Sequence, residues 1–148
     1  MTKNENQIIE LAIRILESNL RVKGDAYTDP ERTKNLLRLK LELMEHEVFI
    51  VVFLDTRHRL IETREMFRGT LDGAFVHPRE VVKAALGTNA AAVIFAHNHP
   101  SGTSTPSEAD RRLTNRLREA LALVDIRTLD HIVIGHGEIT SFSEFGWL

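Results

Sequence analysis

Two histidines separated by one residue, His97 and His99, follow directly on the apolar run Val93-Ile94-Phe95-Ala96, and Asp110 comes shortly after them. In an extended strand residues i and i+2 share a face, so both imidazoles can reach one ion. Pro100 and Gly102 then force the backbone away from any ladder. Pro106-Ser107 opens a helix whose first turn brings Asp110 back towards the pair. Two imidazole nitrogens and one carboxylate leave a fourth position open for water, which is the catalytic rather than the structural pattern for zinc. A strand end, a Pro/Gly turn, a helix start and three ligand types all fall within residues 97–110.

Each piece also has a plainer explanation. Ser107-x-x-Asp110 has the form of a capping box, with Ser107 as N-cap and the acid three residues on. A histidine pair at i, i+2 is more often incidental than a ligand pair. His-Asn-His is not the HNH nuclease motif, whose named residues are widely spaced. Glu42, Glu45 and Glu47 cluster before the next apolar run, and nothing in their types separates a general base from an exposed helix-end acid. His46 and His58 flank a strand and read as solvated. His77 starts a helix before Pro78, and His131 reads as a structural histidine that could approach the site. Arg111, Arg112, Arg116 and Arg118 crowd one helix; such a group is usually a solvated face, yet it is the stretch able to meet phosphate near a metal.

Composition narrows the chemistry further. The 148 residues contain no cysteine, which excludes disulfide scaffolds, thiolate zinc sites, cysteine nucleophiles and iron–sulfur clusters, so a metal must sit on nitrogen and oxygen. Nineteen Lys+Arg against 21 Asp+Glu give a net charge of -2, and 43% of residues are apolar. That is the profile of one soluble globular domain without a phosphate-binding coat. The start of the chain resembles neither a signal peptide nor a membrane span, and the cytoplasm is the expected compartment.

The elements that must position these residues follow from periodicity. Residues 5–21 read as an amphipathic helix closed by Gly24, and Thr28-Asp29-Pro30 as a cap leading into a second helix to about Glu45 with Leu37, Leu41 and Met44 on one face. Val48 to Leu54 reads as a strand covered on both faces and as the centre of a sheet. Arg59 to Arg68 is its hairpin partner before Gly69. A helix from His77-Pro78 to Leu86 is ended by Gly87, a second buried strand spans Ala91 to Ala96, and Ser107 to Val124 forms a helix with Leu113, Leu117, Ala120, Leu121 and Val124 inward. Ile132 to Ile134 and Ile139 to Ser141 are short strands. Alternating helices and strands predict an α/β fold, a mixed β-sheet flanked by helices. Residues 1–27 read as an N-terminal helical segment and 28–148 as the main domain.

Taken together, His97-x-His99-Pro100 and Ser107-x-x-Asp110 resemble the JAB/JAMM metalloprotease motif. Glu47-Val48-Phe49, Leu54-Asp55, Phe67-Arg68-Gly69-Thr70, His77-Pro78-Arg79-Glu80, Ala96 to Gly102, Asp130-His131 and the ending Ser143 to Leu148 resemble the RadC branch of that family over about residues 28–148. The resemblance implies a cytidine-deaminase-like α/β fold with the site at the edge of a mixed sheet. It implies one zinc ion per chain on His97, His99 and Asp110, Ser107 orienting substrate or oxyanion, and Glu47 as general base. The activity implied is hydrolysis of peptide or isopeptide bonds in a peptide or protein substrate. The alternative is a nucleic-acid-associated protein, either a DNA-repair accessory or a metal-dependent nuclease. Longer RadC proteins resemble carriers of an N-terminal helix-hairpin-helix region. Only about 25 residues precede the domain here, so that module is expected to be missing and nucleic acid is the less favoured partner. No membrane partner is expected, and a homodimer is among the expectations.

Overall fold

An uninterrupted apolar run such as Val48 to Leu54 is stable only where helices cover both faces of its sheet. The computed structural model describes residues 1–24, 26–27, 29–69 and 76–148. Its strands are β1 (Glu47–Leu54), β2 (Leu60–Gly69), β3 (Ala92–Asn98), β4 (Arg127–Ile134) and β5 (Ile139–Ser141). Its helices are α1 (Lys3–Lys23), α2 (Pro30–Leu41), α3 (Pro78–Gly87) and α4 (Glu108–Ala122). The strands form one sheet in the order β2-β1-β3-β4-β5. β3 and β4 run parallel with α4 between them in sequence, and the other neighbouring pairs are antiparallel. The fold is therefore mixed α/β, as expected.

Alternation along β1 assigns the two cores. Val48, Ile50, Val52 and Leu54 pack with Leu20 of α1 and Leu36, Leu37 and Leu41 of α2. Phe49, Val51 and Phe53 pack on the other side with Val81 and Ala85 of α3 and Leu113, Leu117 and Leu121 of α4. Each Val, Leu, Ile or Phe among them, taken from water, contributes about 1.5–3 kcal/mol. The register sets Phe49 opposite His97 and Ile50 opposite Ala96, so His97 lies on the α3/α4 face.

Several boundaries differ from expectation. The middle strand is β3, with β1 beside it. α2 stops at Leu41 rather than near Glu45, because the Asn98 side chain draws the Met44 and His46 carbonyls into the approach to β1. α4 ends at Ala122, leaving Val124 exposed; after Asp125, whose φ is 61°, Ile126 takes the next core position. Ala120 is only half-buried. β3 extends to Asn98, and β4 starts at Arg127 instead of Ile132. Thr28 of the expected cap and Thr70 of the family motif lie outside the described residues. Asp29 is the N-cap of α2 by backbone conformation, with Pro30 in the first turn.

Candidate metal centre

β3 supplies the first ligand from inside the sheet: His97 is fully buried, one residue short of the strand end. His99 stays in register, its N–H donating to the Ile134 carbonyl of β4 (2.9 Å). The chain then turns back, with the Gly102 N–H donating to the His99 carbonyl (3.0 Å). Gly102 has a φ of 100°, which favours glycine. Gly135 seals the turn from beneath: a Cβ there would lie 2.4 Å from the Gly102 carbonyl oxygen, so only glycine fits. This turn places the Thr103 carbonyl 2.9 Å from His99 Nδ1. A carbonyl only accepts, so Nδ1 carries a proton and Nε2 is the nitrogen turned towards His97 and Asp110.

α4 supplies the third ligand through its cap. Ser107 Oγ accepts from the Asp110 N–H (3.0 Å), while Asp110 Oδ2 accepts from the Ser107 N–H (2.8 Å). The capping box is therefore real, and it aims the same carboxylate at the imidazoles: the plainer reading and the ligand reading hold together. Asp110 Oδ2 lies 3.1 Å from His99 Nε2 and 3.4 Å from His97 Nε2, and the two Nε2 atoms are 3.0 Å apart. A tetrahedral ion with ligand bonds of about 2.0–2.1 Å separates its ligand atoms by about 3.3 Å. The three donor atoms thus form a group that could hold a metal ion. Burial opposes the charge on Asp110, yet hydrogen bonds from His97 and His99 and the Ser107 amide hold its carboxyl far below the usual range. The Asp110 hydrogen bond raises His99 against its own burial, and the Glu47 charge adds to the rise.

Glu47 is the first residue of β1, opposite Gly69 of β2 and two residues before Phe49, so it shares the face that carries His97. An open cleft beside the centre is lined by Glu45, His46, Glu47, Arg68, Gly69 and Pro100. Sequence reasoning missed what holds this entrance in place. Asn98 Oδ1 accepts from the Val48 N–H (2.7 Å), and its Nδ2 donates to the His46 carbonyl (3.0 Å), bracketing Glu47. The available signal was its position between the two histidines, which turns its side chain to the opposite face.

His131 is fully buried and touches the centre directly, its Nε2 lying 2.7 Å from His97 Nδ1. Its other ring nitrogen meets Thr114 Oγ1, and Phe142 stacks on the ring at 4.7 Å. Burial pushes His131 well below the ordinary histidine range, with His97 adding to the effect. Asp130 fixes the adjoining backbone, accepting from the His131 N–H (2.7 Å), the Ser143 N–H (3.0 Å) and Ser141 Oγ (2.6 Å). The centre lies at the end of the middle strand, not on an edge strand.

The remaining residues stay apart from it. His46 is exposed, as expected. His58 is not simply solvated: it is half-buried, faces the Tyr27 ring edge-on, and accepts from Arg127 (2.9 Å). His77 is the N-cap of α3. All four α4 arginines are exposed, but they do not form one stripe. At about 100° per residue, Arg112 and Arg116 sit roughly a third of a turn from Arg111 and Arg118. The Arg111 guanidinium rests on Trp147, 4.7 Å from the ring centre.

A sequence profile of the RadC-like JAB domain matches residues 27–147. The chain belongs to the RadC-like JAB family. A UPF0758 protein of Vibrio cholerae is 61% identical over 144 residues, covering 97% of this chain and 90% of the relative. A second from the same organism is 58% identical over the same shares of both chains. A UPF0758 protein of Marinobacter nauticus is 59% identical over 138 residues, 93% of this chain but 61% of its own length. RadC-like JAB domains thus occur in relatives of nearly this length and in longer ones. Among the described residues no helix is long and apolar enough to cross a membrane.

Proposed function

We propose that this RadC-like JAB domain is a zinc-dependent hydrolase of peptide or isopeptide bonds, with His97, His99 and Asp110 as ligands. The observation that carries the reading is the convergence of two imidazole Nε2 atoms and one carboxylate oxygen at 3.0–3.4 Å, beside a cleft that Glu47 lines. The donor set suits zinc, which takes nitrogen and oxygen ligands in a tetrahedral arrangement. When bound, zinc supplies Lewis acidity, lowering the pKa of water towards neutrality and polarising a carbonyl. Glu47 takes the proton of the attacking water and returns it to the leaving amine. The Ser107 hydroxyl accepts from the Asp110 N–H through its oxygen, which leaves its own O–H to donate to a developing oxyanion. An extended peptide backbone in the cleft is the substrate class that fits amide hydrolysis.

The test is metal analysis combined with peptide hydrolysis. Wild type should carry about one zinc per folded chain, and His97→Ala, His99→Ala and Asp110→Ala should lose it. Glu47→Gln should keep the metal and lose about 10²–10⁴-fold in rate. Full zinc in all three folded ligand variants would remove the site, and release of zinc from Glu47→Gln would make Glu47 a ligand and overturn its role as base.

A further inference from the structure

α1 carries two apolar faces where the fold uses one. Ile13, Leu16 and Leu20 turn into the core shared with α2 and β1. Ile8, Leu11, Ile15 and Val22, each 53–75% exposed, do not. At about 100° per residue these four fall within roughly 60° of arc, centred roughly 140° from the inward face. Their steps of three, four and seven residues make a second seam, of the spacing that packs one helix along another. Exposed Ser18 takes the one polar place between Ile8 and Val22. A contiguous apolar stripe of this kind marks an interaction surface.

Charge selects the partner. Glu5 and Lys23 flank the stripe on one side, and Glu10, Arg14, Glu17 and Arg21 on the other. With a second α1 laid end for end along the first, each of these six charges comes level, to within about half a turn, with an opposite one. Glu5 meets Lys23 of the second copy and Glu10 meets Arg21. Arg14 meets Glu17, which Lys40 of its own chain also approaches (3.8 Å). The same reversal sets Ile15 against Ile15, Ile8 against Val22 and Leu11 against Ser18. In a parallel pair every charge would face its own kind. Antiparallel pairing also brings opposite ends of the helix dipoles together. A lipid surface fits less well, because α1 mixes four basic with three acidic side chains and has no basic face.

We propose that this chain forms a two-fold symmetric homodimer through antiparallel α1 helices, with Ile15 at the symmetry axis. α1 contributes no residue to the metal centre, so the interface stands whether or not that centre binds an ion.

The lack of cysteine makes the geometry directly testable. Ile15→Cys, at the axis, should cross-link to itself under mild oxidation. Ile8→Cys and Val22→Cys should each stay uncross-linked alone and join each other when mixed, since a disulfide needs Cα atoms within about 7 Å. In sedimentation equilibrium wild type should be a dimer. Ile15→Asp should weaken the dimer about 30-fold or more. Helical circular dichroism should be unchanged, because Ile15 points away from the core. Glu10→Arg and Arg21→Glu should each weaken association about 3–30-fold, while an equimolar mixture of the two should recover it by pairing unlike charges. A wild-type chain that is monomeric at near-millimolar concentration would overturn the proposal. So would a dimer unaffected by Ile15→Asp, or self-cross-linking of Ile8→Cys as strong as that of Ile15→Cys. A monomer that binds vesicles of phosphatidylglycerol would assign the stripe to a lipid surface instead.

Discussion

Ser107 and Asp110 serve local structure and chemistry with the same atoms. Ser107 caps α4 through its oxygen, and Asp110 returns the bond while facing both imidazoles. The two functions separate by substitution. Ser107→Ala should cost about 1 kcal/mol of stability, while Ser107→Gly should cost only a few tenths. Both should leave zinc bound and slow turnover by about 10²-fold if the hydroxyl donates to the oxyanion. Thermal unfolding and kcat measured on the two variants check this, and unchanged turnover in Ser107→Gly would reduce Ser107 to a helix cap. The ligand triad was legible in the sequence because strand parity and a helix start leave few other places for His97, His99 and Asp110. The contribution of His131 was not. Its nearest site partner, His97, is 34 residues away in sequence, and only the parallel pairing of β3 with β4 sets them side by side. Asn98 was hidden for a similar reason, since its three partners lie some fifty residues earlier.

Among the elements, the β1–β2 hairpin shows how a local acid fixes a register on which the site depends. Asp55 accepts from the Arg57 N–H (2.9 Å), the Arg59 N–H (2.8 Å) and Arg59 Nε (2.7 Å). Partial burial works against its charge, but these donors outweigh it and hold the carboxyl below its ordinary value. A carboxylate depressed in the folded state adds stability above its unfolded pKa of about 3.9, and that stability is lost as pH falls through the folded value. Asp55→Ala should therefore be about 1–2 kcal/mol less stable than wild type at pH 7, and the gap should close on acidification below about pH 4. Urea unfolding at a series of pH values measures it; a gap that widens in acid would contradict the assignment. Element types were readable because Val48 to Leu54 and Leu113 to Leu121 carry unmistakable periods. The ends were not, because α2 and α4 stop where tertiary contacts take over: Asn98 captures the carbonyls after α2, and Ile126 displaces Val124 from the core.

For the molecule as a whole, charge distinguishes a peptide hydrolase from a nucleic-acid protein. A net charge of -2 provides no general attraction to phosphate, the α4 arginines are split between two sides of their helix, and Arg111 is occupied by Trp147. DNA binding should accordingly be weak, and Arg112→Gln/Arg116→Gln should change it little, whereas peptide hydrolysis should vary only modestly between 50 and 200 mM salt. Tight DNA binding with a steep salt slope, abolished by that double substitution, would reverse the ranking even with the metal centre intact. The sheet that unites these features carries its own constraint. β3 turns His97 to the α4 face and Asn98 to the other, with the Glu47 entrance pinned by the latter. Inserting or deleting one residue between Ala92 and Ala96 would exchange those faces, sending the imidazole of His97 among the leucines of α1 and α2. A change of two would restore sidedness but slide the histidines about 6–7 Å along the strand, away from the start of α4. Length variation in this lineage is therefore barred from the middle strand and confined to the connections around it: odd changes there invert the centre, and even ones pull it apart.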